Sequence, residues 1–291
     1  MVVLYKEFWV NLIDRNCRIL YNKYMKNIEE KIIEKQQLEN VTECTKVPVK
    51  RKRKWYFRLL KKLMKSRYKK PTFVYLGDEF TASSVMLSNH EGTDGPMSLE
   101  IYCNKPIRMW GASEMNSGLI KMYKYQTRVY YHEKKHWNLH LARLFCLIAS
   151  PLTNLFYSGL DLISTYKDER IFNTIKESIK AIRDGENVVI YPEISDKGYL
   201  EELEGFHPGF VALAEVCKRR GIDLPIYVSY FRKKDGLFIV DKPVLYSELT
   251  KNGETRQEIC KKLCDRCNEL GKMTFDEEYI AKLKEQQGVK K

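Results

Sequence analysis

The chain has 291 residues, 44% of them hydrophobic, which is enough for one large domain or two small ones with a real core. Its formal net charge is +13, yet residues 46–70 alone hold thirteen Lys or Arg and no acid, so the remainder is close to neutral. That concentration argues against a nucleic-acid enzyme, which spreads cations along its binding face, and no nucleic-acid partner is expected.

Residues 2–25 set apolar pairs at Leu4/Tyr5, Phe8/Trp9 and Leu12/Ile13, a helical spacing that suits either an interfacial helix or a plain packing helix. Lys6, Glu7 and Asp14 interrupt its apolar character, so it does not read as a secretory signal. The basic segment 46–70 carries Trp55, Tyr56, Phe57, Leu59, Leu60 and Leu63 among its cations. Three readings fit: a basic amphipathic helix in an anionic membrane surface, a solvated linker, or a nucleic-acid arm. The aromatic and leucine content favours the membrane, since a linker has no use for it.

Short β-type runs follow at 72–76, 85–87, 107–111, 160–164, 187–192, 225–230 and 237–241. Helical patterns lie between them, clearest at 169–183, where Ile171, Ile175, Ile179 and Ile182 recur at three- and four-residue steps, and at 208–220. The apolar stretch 144–160 is short for a bilayer span and contains Pro151 and Asn154, so it predicts a buried or membrane-dipping helix. Strands alternating with helices predict an α/β fold: a mixed, partly parallel sheet flanked by helices. The expected organisation is an N-terminal amphipathic, basic membrane-surface segment (1–70), a main domain (71–250) and a helical C-terminal tail (251–291). In that tail Cys260, Cys264 and Cys267 repeat an iron–sulfur spacing, but a continuous helix places all three on one face, so reduced, buried thiols are expected.

Residues 88–94, Ser-Asn-His-Glu-Gly-Thr-Asp, join the 85–87 strand to a helix opening near Pro96. The end of a strand is a common place for chemistry in α/β folds. Pro192 and Glu193 close the strand 187–192, where a carboxylate faces a cleft rather than bulk solvent. Residues 206–209, Phe-His-Pro-Gly, then enter a helix, and Leu224-Pro225-Ile226 leads another strand.

Taken in order over residues 72–245, these motifs resemble the glycerolipid acyltransferase family, whose best-known members are the 1-acyl-glycerol-3-phosphate acyltransferases. The resemblance rests on Asn89-His90 with Asp94, Ile190-Tyr191-Pro192-Glu193, Phe206 with Gly209 and Ala214, and Leu224-Pro225-Ile226. It implies a glycerol-3-phosphate acyltransferase-like fold and an O-acyltransferase of lipid metabolism. A fatty acyl group would pass from acyl-CoA or acyl carrier protein to a hydroxyl of a lysolipid or related amphiphile. His90 would be the general base and Asp94 would orient it. Asn89, Pro192, Glu193, Ser195, Lys197, Lys167 and Pro225 would serve the substrates. No metal or cofactor is implied beyond the acyl donor, and the protein is expected on the cytoplasmic face of a membrane, peripheral or monotopic.

The chain also departs from that pattern. Three residues separate His90 from Asp94 where the family has four, a spacing that a continuous helix would bring onto one face. Thr165 and Asp196 stand where the family has arginines that hold the acceptor's phosphate, leaving Lys167, Arg170 or Lys197 as substitutes or an acceptor without a phosphomonoester. These departures keep a second expectation open, a catalytically inactive lipid-binding or scaffolding protein at the membrane. A lipid-ester hydrolase is disfavoured, since no Gly-x-Ser-x-Gly elbow occurs.

Overall fold

The computed structural model describes residues 54–79, 81–166, 168–194 and 198–289. The expected helix at 2–25 therefore lies outside the described residues, as do Lys167, Ser195, Asp196 and Lys197. Contacts divide the chain into two units, one of residues 1–45 with 167–172 and one of residues 46–166 with 173–291. In the first, Arg170 grips Asp168 with its guanidinium at 2.6 Å and holds that exposed carboxyl down to about 2. The second unit contains the sheet.

That sheet has eight strands: β1 (Thr72–Tyr75), β2 (Val85–Ser88), β3 (Ile107–Ala112), β4 (Ile163–Thr165), β5 (Asn187–Ile190), β6 (Pro225–Arg232), β7 (Leu237–Val240) and β8 (Val244–Leu245). Their order is β1-β7-β6-β2-β5-β3-β4, with β8 beside the start of β6. All pairs are parallel except β6–β7 and β6–β8, so the sheet is mixed and mostly parallel. β2, β5 and the inner part of β6 are buried throughout, which explains why they read as unbroken apolar runs rather than alternating ones.

Helices cover both faces. On one, α1 (Trp55–Met64), α2 (Asp94–Tyr102) and α5 (Leu139–Leu160) share a core with the strands, built around Phe57, Leu99, Phe156, Met86, Val189 and Phe238. Between β3 and α5 run two short helices, α3 (Ser113–Asn116) and α4 (Leu119–Tyr125), and a π-helical segment, Gln126–Lys134. Trp110 alternates with Met109 on β3 and so faces the opposite side. There its indole N–H donates to Ser178 of α6 (Ile171–Arg183) at 2.9 Å, and its ring lies against Gly209 at the start of α7 (Gly209–Arg219). After α8 (Tyr246–Leu249), α9 (Arg256–Lys272) packs on β6 and α10 (Glu277–Gln286) on β1.

Two expectations change. The run 160–164 is not one strand: α5 continues through Leu160 and ends at Asp161, whose φ of +53° caps the helix in the left-handed region, and β4 begins at Ile163. Helix propensity and packing of Phe156 and Leu160 into the core outweigh the β-type composition there. The strand 187–192 likewise stops at Ile190, because Pro192–Ile194 turn to pair with Gly205–His207.

Three side-chain amides imitate a missing strand neighbour, each offering both an acceptor and a donor to one residue's backbone. Asn89 accepts from Phe231 N–H at 2.6 Å and donates to its carbonyl at 3.0 Å. Asn268 on α9 does the same for Leu203, at 2.8 and 2.9 Å. Gln287, just past α10, does it for Phe73 on β1, at 2.8 and 2.7 Å.

Candidate active site

β2 and β5 are neighbours, yet the chain leaves them in opposite directions: β2 leads over to β3, and β5 crosses back to β6 on the far side of β2. The C-terminal ends of two such strands frame a crevice, the usual ligand position in open α/β sheets. The segment Asn89–Asp94 leaves β2 there, and Tyr191–Glu193 leaves β5 beside it.

Asn89 is 1% exposed and clamps the end of β2 to β6, so its role is to fix where His90 begins. Beyond it, Glu91 and Gly92 both take positive φ, +43° and +68°, and the chain turns before α2 starts at Asp94. His90 and Asp94 are therefore not on one continuous helix, contrary to the spacing argument. Gly95 lets α2 come in tightly: a Cβ there would stand 2.9 Å from the carbonyl oxygen of His90 and 3.2 Å from that of Asn89.

The turn brings the Gly92 carbonyl onto Nδ1 of His90. A carbonyl only accepts, so Nδ1 carries the hydrogen in this contact, and in the neutral imidazole the lone pair then falls on Nε2, the tautomer a general base requires. Two rings lie against the imidazole, Tyr199 stacked at 4.8 Å between centroids and Tyr191 tilted at 5.0 Å. Asp94 lies in the first turn of α2, where the helix N-terminus favours a negative charge, and its carboxylate meets Lys233 of the β6–β7 turn at 2.6 Å. The hydrogen bond to Asp94 raises the Lys233 ammonium above its ordinary value, and the nearby Glu91 charge adds to this. Glu91 itself is pushed above the usual carboxylate range by burial, reinforced by Glu201 and Asp94 and opposed by Lys233.

Glu193 is buried, and its backbone is pinned by an isolated bridge to Phe206, with His207 N–H donating to the Pro192 carbonyl at 2.7 Å. Burial raises the Tyr199 and Tyr191 hydroxyls, and the Glu193 charge pushes both further up. α9 contacts this loop at Leu203 and β6 at Ser229. Asn268 clamps Leu203, the Cys264 thiol donates to the Leu203 carbonyl and the Cys267 thiol to that of Ser229. Cys260, Cys264 and Cys267 are all buried, and burial lifts Cys260 to about 12 and Cys264 to about 11. Cys264 thus packs against Leu203 and Cys267 against β6, where both thiols are buried. Among the described residues, no group of three His, Cys, Asp or Glu is arranged to hold a metal ion.

The structure brings Asn89, His90, Asp94, Pro192 and Glu193 to one end of the sheet. It does not bring Pro225, which opens β6 beside Leu245 at the opposite end, one residue before the Ile226–Val85 pair. Thr165, at one of the two expected arginine positions, donates its hydroxyl to the Gly111 carbonyl at 3.0 Å. Sequence reasoning missed Lys233 and the tyrosines. Tyr199 stacks on His90, and burial raises the Tyr130 hydroxyl, with the Tyr68 and Asp94 charges adding to this. No spacing links these residues to His90. Their one signal is a count of 19 tyrosines in the chain. Set against known proteins, the chain matches no family model and no curated protein.

Proposed function

We propose that this protein is an O-acyltransferase with a glycerol-3-phosphate acyltransferase-like fold, acting at the cytoplasmic face of a membrane. It would transfer a fatty acyl group from acyl-CoA or acyl carrier protein to a hydroxyl of a lysolipid or related amphiphile. The observation that carries the reading is His90 at the end of central strand β2, its Nδ1 on the Gly92 carbonyl, beside the loop that holds Glu193. In the proposed reaction Nε2 takes the proton of the acceptor hydroxyl as its oxygen attacks the thioester carbonyl. The C–S bond breaks, the thiolate leaves and the imidazolium returns the proton to it. Asp94 stabilises the imidazolium by its charge, and Glu193 orients the acceptor.

One contact favours the second reading, an inactive lipid-binding or scaffolding protein: Lys233 already neutralises Asp94 at 2.6 Å. A single assay separates the two. Purified protein is given radiolabelled acyl-CoA and a panel of lysolipids, and His90→Ala is compared with the parent. Loss of a general base lowers turnover about a hundredfold to ten-thousandfold. Transfer by the parent that survives His90→Ala unchanged overturns the role of His90, and no transfer to any acceptor favours the scaffold. Because Thr165 engages Gly111 and Asp196 is an acid, lysophosphatidic acid is expected to be a poorer acceptor than a lysolipid with a masked phosphate.

A further inference from the structure

α1 presents three faces. Tyr56, Phe57, Leu60 and Met64 pack inward, with Phe57 only 1% exposed. Trp55, Leu59 and Leu63, four residues apart, form an apolar stripe that faces outward, Trp55 at 71% exposure. Arg58, Lys62 and Lys65 run beside that stripe, and residues 54–70 contain no acid.

α5 is apolar on two sides. Ala142, Cys146, Ser150 and Phe156 are buried, and the Ser150 hydroxyl donates to Gln126 of the π-helical segment at 2.8 Å. Leu141, Leu144, Ile148, Leu152 and Leu155 face away from it, with Ile148 at 80% exposure. Residues 139–160 hold no acid either. The two helices are joined at the C-terminal end of α5. The Phe57 ring seats on Gly159, Phe57 and Phe156 lie 5.2 Å apart, and the Tyr56 and Ser158 hydroxyls meet at 2.9 Å. Lys61 anchors α1 further through buried Glu100 at 3.3 Å.

We propose that α1 and α5 together form an in-plane anchor in an anionic bilayer surface, with their outward apolar stripes among the acyl chains and the α1 cations at the headgroups. Exposed apolar stripes of this extent mark an interaction surface, and the flanking cations select its partner. A second copy of the chain would bring cation against cation, whereas an anionic surface complements them. Trp55 and Trp137, at the start of α1 and just before α5, are the aromatic type that settles at a membrane interface. α5 is long enough to span a membrane, but its inner face is hydrogen-bonded to the π-helical segment at Gln126 and buries Phe156 and Leu160 in the core beside the sheet, so in this proposal it lies flat.

The test uses the full chain and needs no turnover, so it stands or falls separately from acyl transfer. Vesicles of phosphatidylcholine, with and without phosphatidylglycerol, are prepared with brominated acyl chains, and tryptophan quenching is compared between the parent and the Trp55→Phe/Trp137→Phe variant. We expect strong quenching in the parent that the variant largely loses, and tighter binding to the anionic vesicles that salt weakens. Leu144→Ser/Ile148→Ser/Leu152→Ser, checked for an unchanged thermal melt, should weaken the binding carried by this face about a hundredfold. Equal quenching in parent and variant overturns the anchor. A dimer in solution that the triple serine variant dissociates assigns the face to a second copy instead. Protection of the loop between α4 and α5 from protease outside sealed vesicles shows spanning and overturns the in-plane placement.

Discussion

α5 and α6 are neighbours in the chain, and both repeat apolar residues at three- and four-residue steps. In α6 those residues form a single stripe: Ile175, Ile179 and Ile182 are buried, while Lys176, Glu177 and Lys180 face outward. In α5 the apolar residues form two stripes on opposite sides, one buried in the body and one exposed. Periodicity therefore settles the orientation of α6 and leaves that of α5 open, because a helix apolar all round can turn either side inward. In α5 small and polar residues decide it: Ala142, Ser150 and Gly159 allow close approach, and Ser150 finds Gln126.

The largest effect expected from this contrast is in α6. Ile179→Ala removes a buried side chain and should cost about 2–4 kcal/mol, read as a lower urea midpoint at unchanged m-value. A loss under about 0.5 kcal/mol would show that the α6 stripe is not packed as described. Next comes the inner side of α5. Gly159→Ala places a Cβ within 2.4 Å of the Phe57 ring, so α1 has to shift, at a cost of roughly 1–3 kcal/mol. Full stability in that variant would mean that α1 does not seat on α5. The smallest effect is expected on the outer side. Ile148→Ser deletes as much apolar surface as the α6 change, yet its effect on the melt in vesicle-free buffer should stay within about 0.5 kcal/mol. A cost of 2 kcal/mol or more would show that this face is covered within the folded chain, and the contrast between the helices would vanish.

The same contrast between one apolar face and several sets what is legible in the sequence. Buried parallel strands are short apolar runs with sharp ends, so β2, β3, β6 and β7 are visible as runs, whereas β4 lies hidden where the helical residues before it share its composition. The His90–Asp94 spacing was visible, but the part played by the Gly92 carbonyl was not, since it depends on two successive positive φ angles. Pro225 illustrates a different gap. Order along the chain places a motif on a strand without saying which end of the sheet it occupies. Lys233 and Tyr199 reach His90 and Asp94 from loops far away in sequence, with no periodicity to announce them. Asn89, Asn268 and Gln287 look like any polar residue until each is found opposite one backbone unit.

The last of these amides has a consequence for the solution behaviour of the chain. β1 ends the strand order, and Gln287 occupies the outward N–H and C=O of Phe73 as a second strand would. Residues 277–289 thus act as a stopper on a border of the sheet that no other strand covers among the described residues. Shortening the chain before Asp276 would leave that border able to recruit an extended peptide, including the same segment of another molecule. The first symptom would be concentration-dependent growth into ladders by strand addition, ahead of any loss of the central fold.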